Sequence, residues 1–107
     1  MNIVKKVNHA GDSIIVPSPG GTKKIRINSY SICSTPINDT PILVELKDSI
    51  DLVSFVKLEV LPSSSITINI SNFKKDLRNN AHLLATIDKD GELYFIINYD
   101  EVTYLNA

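Results

Sequence analysis

A single alternating run governs the fold, Lys24-Ile25-Arg26-Ile27-Asn28-Ser29-Tyr30-Ser31-Ile32-Cys33. Apolar and polar residues alternate along it, and this period of two is typical of a strand that packs one face against a core. The apolar positions are odd-numbered up to Ile27 and even-numbered from Tyr30 onward. Because a slip of one residue turns every side chain to the other face, we expect a β-bulge near Asn28 or Ser29.

The same period recurs along the rest of the chain, and no run keeps a helical period for three turns. Further strands are predicted for residues 2–7, Ser13–Pro17, Ile42–Lys47, 50–61, Ile66–Ile70, Leu83–Ile87, Leu93–Ile97 and Val102–Leu105. Residues 71–80 are polar enough to hold one short helical turn. The turn sequence Asp88-Lys89-Asp90-Gly91 stands between two β-rich runs, which predicts a hairpin.

About eight short strands with frequent turns indicate an all-β fold, an antiparallel β-sandwich of jelly-roll type. A small closed barrel is the competing prediction. The 107 residues are enough for one core and too few for two, so we expect a single domain over residues 1–107. Residues 1–9 are expected to form an edge strand or an extended arm.

Composition excludes several classes of function. The 11 basic and 12 acidic residues are interspersed and give a net charge of −1, which is unlike a nucleic-acid-binding surface. No apolar stretch is long enough to cross a bilayer, and no secretory signal follows Met1, so no membrane role is expected. The single cysteine, Cys33, has no partner for an intrachain disulfide and is expected to be a small apolar strand residue.

The spacing of the histidine and acidic residues does not favour a metal site. His9 and His82 lie far apart in sequence without a second ligand at zinc-binding spacing, so both are expected in turns or at strand edges. Asp88, Asp90 and Glu92 resemble part of a calcium loop, but its other ligands are missing and a hairpin turn is the simpler interpretation. We therefore expect no metal and no cofactor.

Catalytic patterns are equally incomplete. Glu45, Asp51 and Glu59 are carboxylates with no spacing that would bring two of them together across a cleft. The serines at 63–65 have no neighbouring base, and residues 20–23 give only half of a phosphate-binding loop. The sequence therefore predicts a protein that is not an enzyme and that works by binding.

Two segments carry a resemblance to a known group of proteins. They are Gly21-Thr22-Lys23-Lys24-Ile25-Arg26-Ile27-Asn28-Ser29-Tyr30-Ser31-Ile32 and the late run from Ala81-His82-Leu83-Leu84-Ala85-Thr86-Ile87 to Gly91-Glu92-Leu93-Tyr94-Phe95-Ile96-Ile97-Asn98-Tyr99. Their order, with Ile42-Leu43-Val44-Glu45-Leu46 between them, resembles small β-sandwich structural proteins of tailed bacteriophages. The resemblance implies an auxiliary or decoration protein of the virion that binds the major capsid protein or other virion proteins and stabilises the head. It also implies synthesis in the host cytoplasm.

On this hypothesis the loops at Pro17–Lys23, Thr35–Thr40 and Phe73–Asn80 would make the contacts, because loops on a rigid sheet are where binding groups concentrate. The predicted partner-binding residues are Lys23, Phe73, Lys74, Leu77 and Arg78. Apolar residues and arginine dominate interface cores, but two of these five, Phe73 and Leu77, would serve equally well to cover one open end of the sandwich.

Three alternatives remain open from the sequence. A homo-oligomer is compatible with it, and residues 2–8 could add a strand to a neighbouring molecule. A carbohydrate- or cell-surface-binding module, such as a head-fibre or tail accessory protein, is the alternative function. Exposed aromatic residues on one sheet face would favour that alternative, whereas a pocket with converging acids would favour a small enzyme or inhibitor.

Overall fold

Nine antiparallel strands make two sheets in the computed structural model, which describes residues 1–35, 37–69 and 74–104. The strands are β1 (Asn2–Val7), β2 (Gly11–Val16), β3 (Lys23–Ser34), β4 (Ile42–Asp48), β5 (Ser54–Val60), β6 (Ser65–Asn69), β7 (Lys75–Asp76), β8 (Leu83–Ile87) and β9 (Leu93–Thr103). Within those residues there is no helix of the length and apolar character that a membrane span requires.

The strand order is that of a jelly roll. Sheet A has the order β1-β9-β3-β6, and the short β7 also pairs with β3, nearer the start of that strand than β6. Sheet B has the order β2-β8-β4-β5. Counting β6 and β7 as one interrupted position gives two four-stranded sheets. Successive strands alternate between the two layers except β4 and β5, which pair with each other in sheet B, as in the two Greek keys of a jelly roll. The predicted all-β sandwich is confirmed.

The predicted bulge is present at Asn28. Ile27 of β3 faces Tyr99 of β9, whereas Ser29 faces Asn98, so Asn28 is the extra residue. Its side-chain amide donates hydrogen bonds to Asn98 Oδ1 at 3.0 Å and to Asp100 Oδ2 at 3.1 Å. Because of this insertion, the two halves of β3 both place their apolar side chains on the core.

A single hydrophobic core lies between the sheets. Its fully buried members from sheet A are Ile25, Ile27, Ile32, Leu93, Phe95 and Ile97, and those from sheet B include Val44, Leu46, Leu83, Ala85 and Ile87. Most are β-branched or branched aliphatic residues, which suit the pleated inner surface of a sheet. The predicted inner face of Ile42, Val44 and Leu46 is confirmed, since none of the three is more than 1% exposed.

The predicted hairpin at Asp88-Lys89-Asp90-Gly91 is wrong. β8 pairs with β2 and β4 in sheet B, whereas β9 pairs with β1 and β3 in sheet A, so the segment crosses from one layer to the other. Asp88 and Asp90 hold the crossing in place, because their carboxylates accept hydrogen bonds from the amides of Leu43 and Ala10 at 3.0 and 2.8 Å.

Two predicted strand boundaries are also wrong. The strand predicted over 50–61 begins only at Ser54, and residues 49–53 form an exposed loop. The separate last strand predicted at Val102–Leu105 does not exist, because β9 runs unbroken to Thr103 as the partner of the first half of β3. Leu105 lies outside the described residues.

The short helical turn predicted within 71–80 is not found in the described part of that segment. Residues 74–80 contain β7 and a turn that the amide of Ala81 closes by donating to the carbonyl of Arg78 at 3.1 Å. Pairing of residues 75–76 with β3 extends sheet A towards the start of that strand.

Residues 2–7 lie at the edge of sheet A, paired along their length with β9. Lys5 occupies a core-facing register position opposite Phe95, yet it is exposed because the strand is at the margin of the sheet. A charge at such a position opposes the addition of a further strand. This edge is therefore poorly suited to pairing with a neighbouring molecule.

Deletion of Asn28 should unfold the protein, whereas Asn28→Ala should cost about 1 kcal/mol or less. The deletion turns one half of β3 inside out, while the substitution keeps the residue count and removes two part-exposed hydrogen bonds. Circular dichroism and denaturant titration measure both variants. A folded deletion variant with normal stability would show that the bulge does not set the register.

Candidate functional site

The two ends of the sandwich carry the loops, and they differ in character. Loops 17–22, 49–53 and 77–82 meet at one end, here named the Arg78 end. Loops 8–10, 35–41, 61–64 and 88–92 meet at the other, here named the Gly91 end. The predicted contact loops 17–23 and 74–80 thus share one end, and the predicted loop 35–40 lies at the opposite one.

Asp48 ties the Arg78 end together. It is only 4% exposed, and its carboxylate accepts hydrogen bonds from the amides of Ile50, Asp51 and Arg78 at 2.7, 2.9 and 2.7 Å. Burial raises the pKa of Asp48, but these three hydrogen bonds favour the charged form, so its pKa lies below the usual range. One buried charge therefore fixes two loops against each other.

His82 joins the third loop to the same end. Its Nδ1 accepts a hydrogen bond from the amide of Ser18 at 2.7 Å, and its own amide donates to Ser49 Oγ at 2.8 Å. His9 lies at the Gly91 end, so the two histidines cannot share a metal ion. No group of three or more potential metal ligands occurs among the residues that the structure describes.

An apolar loop projects from the Arg78 end. Ile50, Leu52 and Val53 are 55%, 59% and 70% exposed, although the sequence predicted them within a strand. Leu52 has a φ of 58°, a left-handed conformation that a branched residue rarely adopts, and its amide donates to the carbonyl of Asp48 at 2.9 Å. A strained backbone that displays apolar side chains to water is a feature of interaction sites.

Arg78 lies beside this loop. Its Nε is 2.9 and 3.0 Å from the two carboxylate oxygens of Asp51, and this hydrogen-bonded contact raises the pKa of the guanidinium. The Arg78 side chain is 65% exposed, so the pair contributes little to stability. Its guanidinium remains accessible to a partner.

The other predicted partner-binding residues have different positions. Lys23 and Lys74 are exposed, at the start of β3 and just before β7. Leu77 is 3% exposed and belongs to the core, which fits the predicted alternative that it covers one open end of the sandwich and does not fit a surface anchor. The amide of Leu77 donates to the carbonyl of Ile25, which draws the side chain inward to close the end of the sandwich. Phe73 lies outside the described residues.

The Gly91 end contains an open pocket of about 350 Å³. Beneath it, the buried Asn38 donates to Ser34 Oγ at 2.8 Å and accepts from the amide of Glu92 at 2.7 Å. Gly91 packs on this residue so closely that a Cβ would lie 2.9 Å from Asn38 Oδ1 and would overlap Ile42 Cδ1. Gly91 is therefore required for close packing, a role unrelated to a hairpin turn.

The three acids of the considered calcium loop do not converge. The carboxylate of Asp88 is bound to the amide of Leu43, that of Asp90 to the amide of Ala10, and that of Glu92 lies 3.7 Å from Lys6 Nζ. The three considered catalytic carboxylates are also apart. Glu45 lies on the outer face of sheet B with Ser54 and Lys57, Glu59 is exposed on β5, and Asp51 is at the Arg78 end.

Asp48→Asn should destabilise the protein by about 3 kcal/mol, because an amide cannot accept the three hydrogen bonds and places a donor against backbone amides. The folded pKa of Asp48 is depressed, so its contribution is present above the unfolded value of about 3.9 and is lost as the pH falls through the folded value. Denaturant titrations at several pH values measure both effects. Asp39→Asn, an exposed carboxylate, is the control, and equal losses in the two variants would contradict the assignment.

Gly91→Ala should cost about 2 kcal/mol through overlap with Ile42 and Asn38. Adding Ile42→Val removes the Cδ1 atom that is overlapped, so the double variant should lose less than the sum of the two single changes. Gly20→Ala is the comparison for backbone strain alone, because Gly20 has a φ of 73° and no atom lies within 4 Å of an added Cβ. Its loss of stability therefore contains no steric overlap. Additive losses in the double variant would refute close packing as the role of Gly91.

Comparison with known proteins gives a structural match without a sequence match. No protein-family model matches the chain, and no curated protein matches it. Among solved structures, the chain is similar to a chain in the X-ray structure of tomato aspermy virus, with a TM-score of 0.52 and 12% identity. The alignment covers 100% of this chain and 80% of that one. At this identity the likeness is one of fold, and it lies with a virus other than a tailed bacteriophage.

Proposed function

We propose that this chain is a non-catalytic structural protein of a virion. The observation that supports this most directly is the jelly-roll strand order, in a chain that superimposes over its whole length on one from a virus structure. Jelly rolls occur in viral capsid proteins and also in lectins and cupins, so the fold alone does not select the function. The properties of the surface favour a capsid-type structural role over the other two kinds of jelly-roll protein.

The surface is better suited to binding another protein than to catalysis. The carboxylates and histidines that the sequence offered as candidates are dispersed or bonded within the chain. The exposed apolar loop of residues 50–53 is held by hydrogen bonds to Asp48 and has Arg78 next to it. Rigid apolar groups beside an arginine are the usual composition of an interface core.

The proposed role is that of an auxiliary or decoration protein whose Arg78 end binds the major capsid protein or another virion component. This assignment, and the narrower one to tailed bacteriophages, rest on the sequence resemblance and on the properties of this end. On this proposal the protein is made in the host cytoplasm and resides in the virion.

A glycan-binding module is the weaker alternative. Such a site commonly uses an exposed aromatic face. Among the described aromatic residues, Tyr30 and Phe95 are buried, and Phe55, Tyr94, Tyr99 and Tyr104 are half-buried. None of these six offers a freely exposed ring.

Leu52→Gly should weaken particle binding without loss of stability. Glycine accepts the left-handed backbone of position 52, so the free energy of unfolding should stay equal or rise by about 1 kcal/mol, while one exposed apolar group of the loop is lost. Co-sedimentation with purified particles of the virus that encodes the chain measures occupancy, and thermal unfolding measures stability.

Ile14→Ser is the matched control, because Ile14 is 46% exposed but lies on the outer face of sheet B. We expect its occupancy to equal that of the unmodified chain. Equal occupancy of Leu52→Gly and Ile14→Ser would exclude the 50–53 loop from the contact. Absence of the chain from purified particles by mass spectrometry would overturn the proposed function itself.

A further inference from the structure

The pocket at the Gly91 end combines an apolar wall with acidic groups. Its wall includes Ile37, which is 74% exposed, and Ile42, and its acidic lining residues are Asp39, Asp90 and Glu92. A long basic side chain satisfies both properties, because its aliphatic stem covers apolar surface while its charged head meets the carboxylates.

Part of this acidic lining has no partner within the chain. Asp39 is exposed and makes no hydrogen bond or ion pair with the residues that the structure describes. Asp90 uses one carboxylate oxygen, Oδ1, on the amide of Ala10. Glu92 has only a long contact of 3.7 Å with Lys6. Two lysines are close to the pocket, Lys6 beside Glu92 and Lys89, whose Nζ donates to Thr40 Oγ1 at 3.3 Å, so the three lining carboxylates outnumber them.

The Arg78 end has the complementary character. Lys23 is exposed there and has no ion-pair partner in the described part of the chain. The exposed apolar residues Ile50, Leu52 and Val53 lie at the same end. Each end thus combines exposed apolar side chains with an exposed charged group that has no partner among the described residues, an acid (Asp39) at the Gly91 end and a lysine (Lys23) at the Arg78 end.

These two ends cannot meet within one molecule. The molecule measures 51 × 25 × 19 Å, and the strands carry the two sets of loops to opposite tips of its long axis. We propose that the Gly91 end of one copy binds the Arg78 end of a second copy, with Lys23 directed to the acidic pocket and the 50–53 loop against Ile37. An interface between two different surfaces of the same chain is heterologous, so it propagates into a row or closes into a ring.

This association is separate from the proposed function, because it concerns isolated chains. An open row leaves one Arg78 end free, and that end remains available to a capsid subunit. Because the charge pairs are exposed, the association should weaken as the salt concentration rises.

The test uses two variants with changes at opposite ends. Ile37→Lys/Asp39→Lys reverses the charge of the Gly91 end, and Lys23→Glu/Val53→Glu reverses that of the Arg78 end. All four side chains are exposed and make no hydrogen bond that holds the fold. Circular dichroism and thermal unfolding must show that both variants fold as the unmodified chain does.

Sedimentation velocity over a series of rising protein concentrations, at low and high salt, gives the outcome. We expect the unmodified chain to form species larger than a dimer at low salt, and each variant alone to remain monomeric. An equimolar mixture of the two variants should associate again, since it contains one intact pair of ends and a second pair whose reversed charges are also complementary.

Other results would overturn the inference. Self-association of either variant alone would place the interface elsewhere, and a mixture that stays monomeric would exclude contact between the two ends. A monomeric unmodified chain whose particle binding is lost in the Ile37→Lys/Asp39→Lys variant would assign the pocket to a virion partner instead of a second copy.

Discussion

The register of β3 is the constraint on which the rest of the structure depends. This strand pairs with β9 along nearly all of its length, and with β6 and β7 on its other side. Without the extra residue at Asn28, either Ile25 and Ile27 or Tyr30 and Ile32 would face water. The cost of exposing two such side chains, about 1.5–3 kcal/mol each, approaches the whole stability of many small domains. A local insertion therefore determines whether sheet A has one inner face.

The parts of the fold that follow from local pattern were predictable, and those that follow from distant pairing were not. The bulge can be recognised in the sequence because the alternation of apolar residues changes phase between Ile27 and Tyr30, which are only three positions apart. The Asp90-Gly91 pair has the sequence of a hairpin turn, but the partners of β8 and β9 lie in different sheets, and only strand pairing across the whole chain sets that. Gly91 is needed because Ile42 and Asn38 pack against it, and neither residue is near in sequence.

The residues of the candidate site divide in the same way, into those whose positions follow from local sequence and those whose positions depend on distant contacts. Lys23, Lys74 and Arg78 were predicted at the surface and lie there, because charged side chains stay in water in almost any fold. Leu77 and the apolar residues of the 50–53 loop, Ile50, Leu52 and Val53, have similar hydrophobicity, but Leu77 is buried and the loop residues are exposed. Leu77 is drawn inward by backbone pairing with β3, whereas the 50–53 loop is turned outward by the two hydrogen bonds that its amides at Ile50 and Asp51 donate to the Asp48 carboxylate. Composition cannot separate these cases, since each depends on a polar contact made elsewhere.

The outer sheet faces help to explain why binding is assigned to the ends. On sheet B, Asp12, Thr86, Glu45 and Lys57 stand in register across all four strands. Within this row Thr86 Oγ1 donates to Asp12 Oδ1 at 2.5 Å, and Lys57 Nζ lies 3.6 Å from Glu45 Oε1. Groups that already satisfy each other would have to exchange one partner for another on binding, which gives little net free energy. Lys23 and Asp39 lose only bound water when a partner approaches, because neither has a partner to exchange. A partner that supplies the opposite charge and apolar area therefore gains more binding free energy at the ends than on the outer face of sheet B.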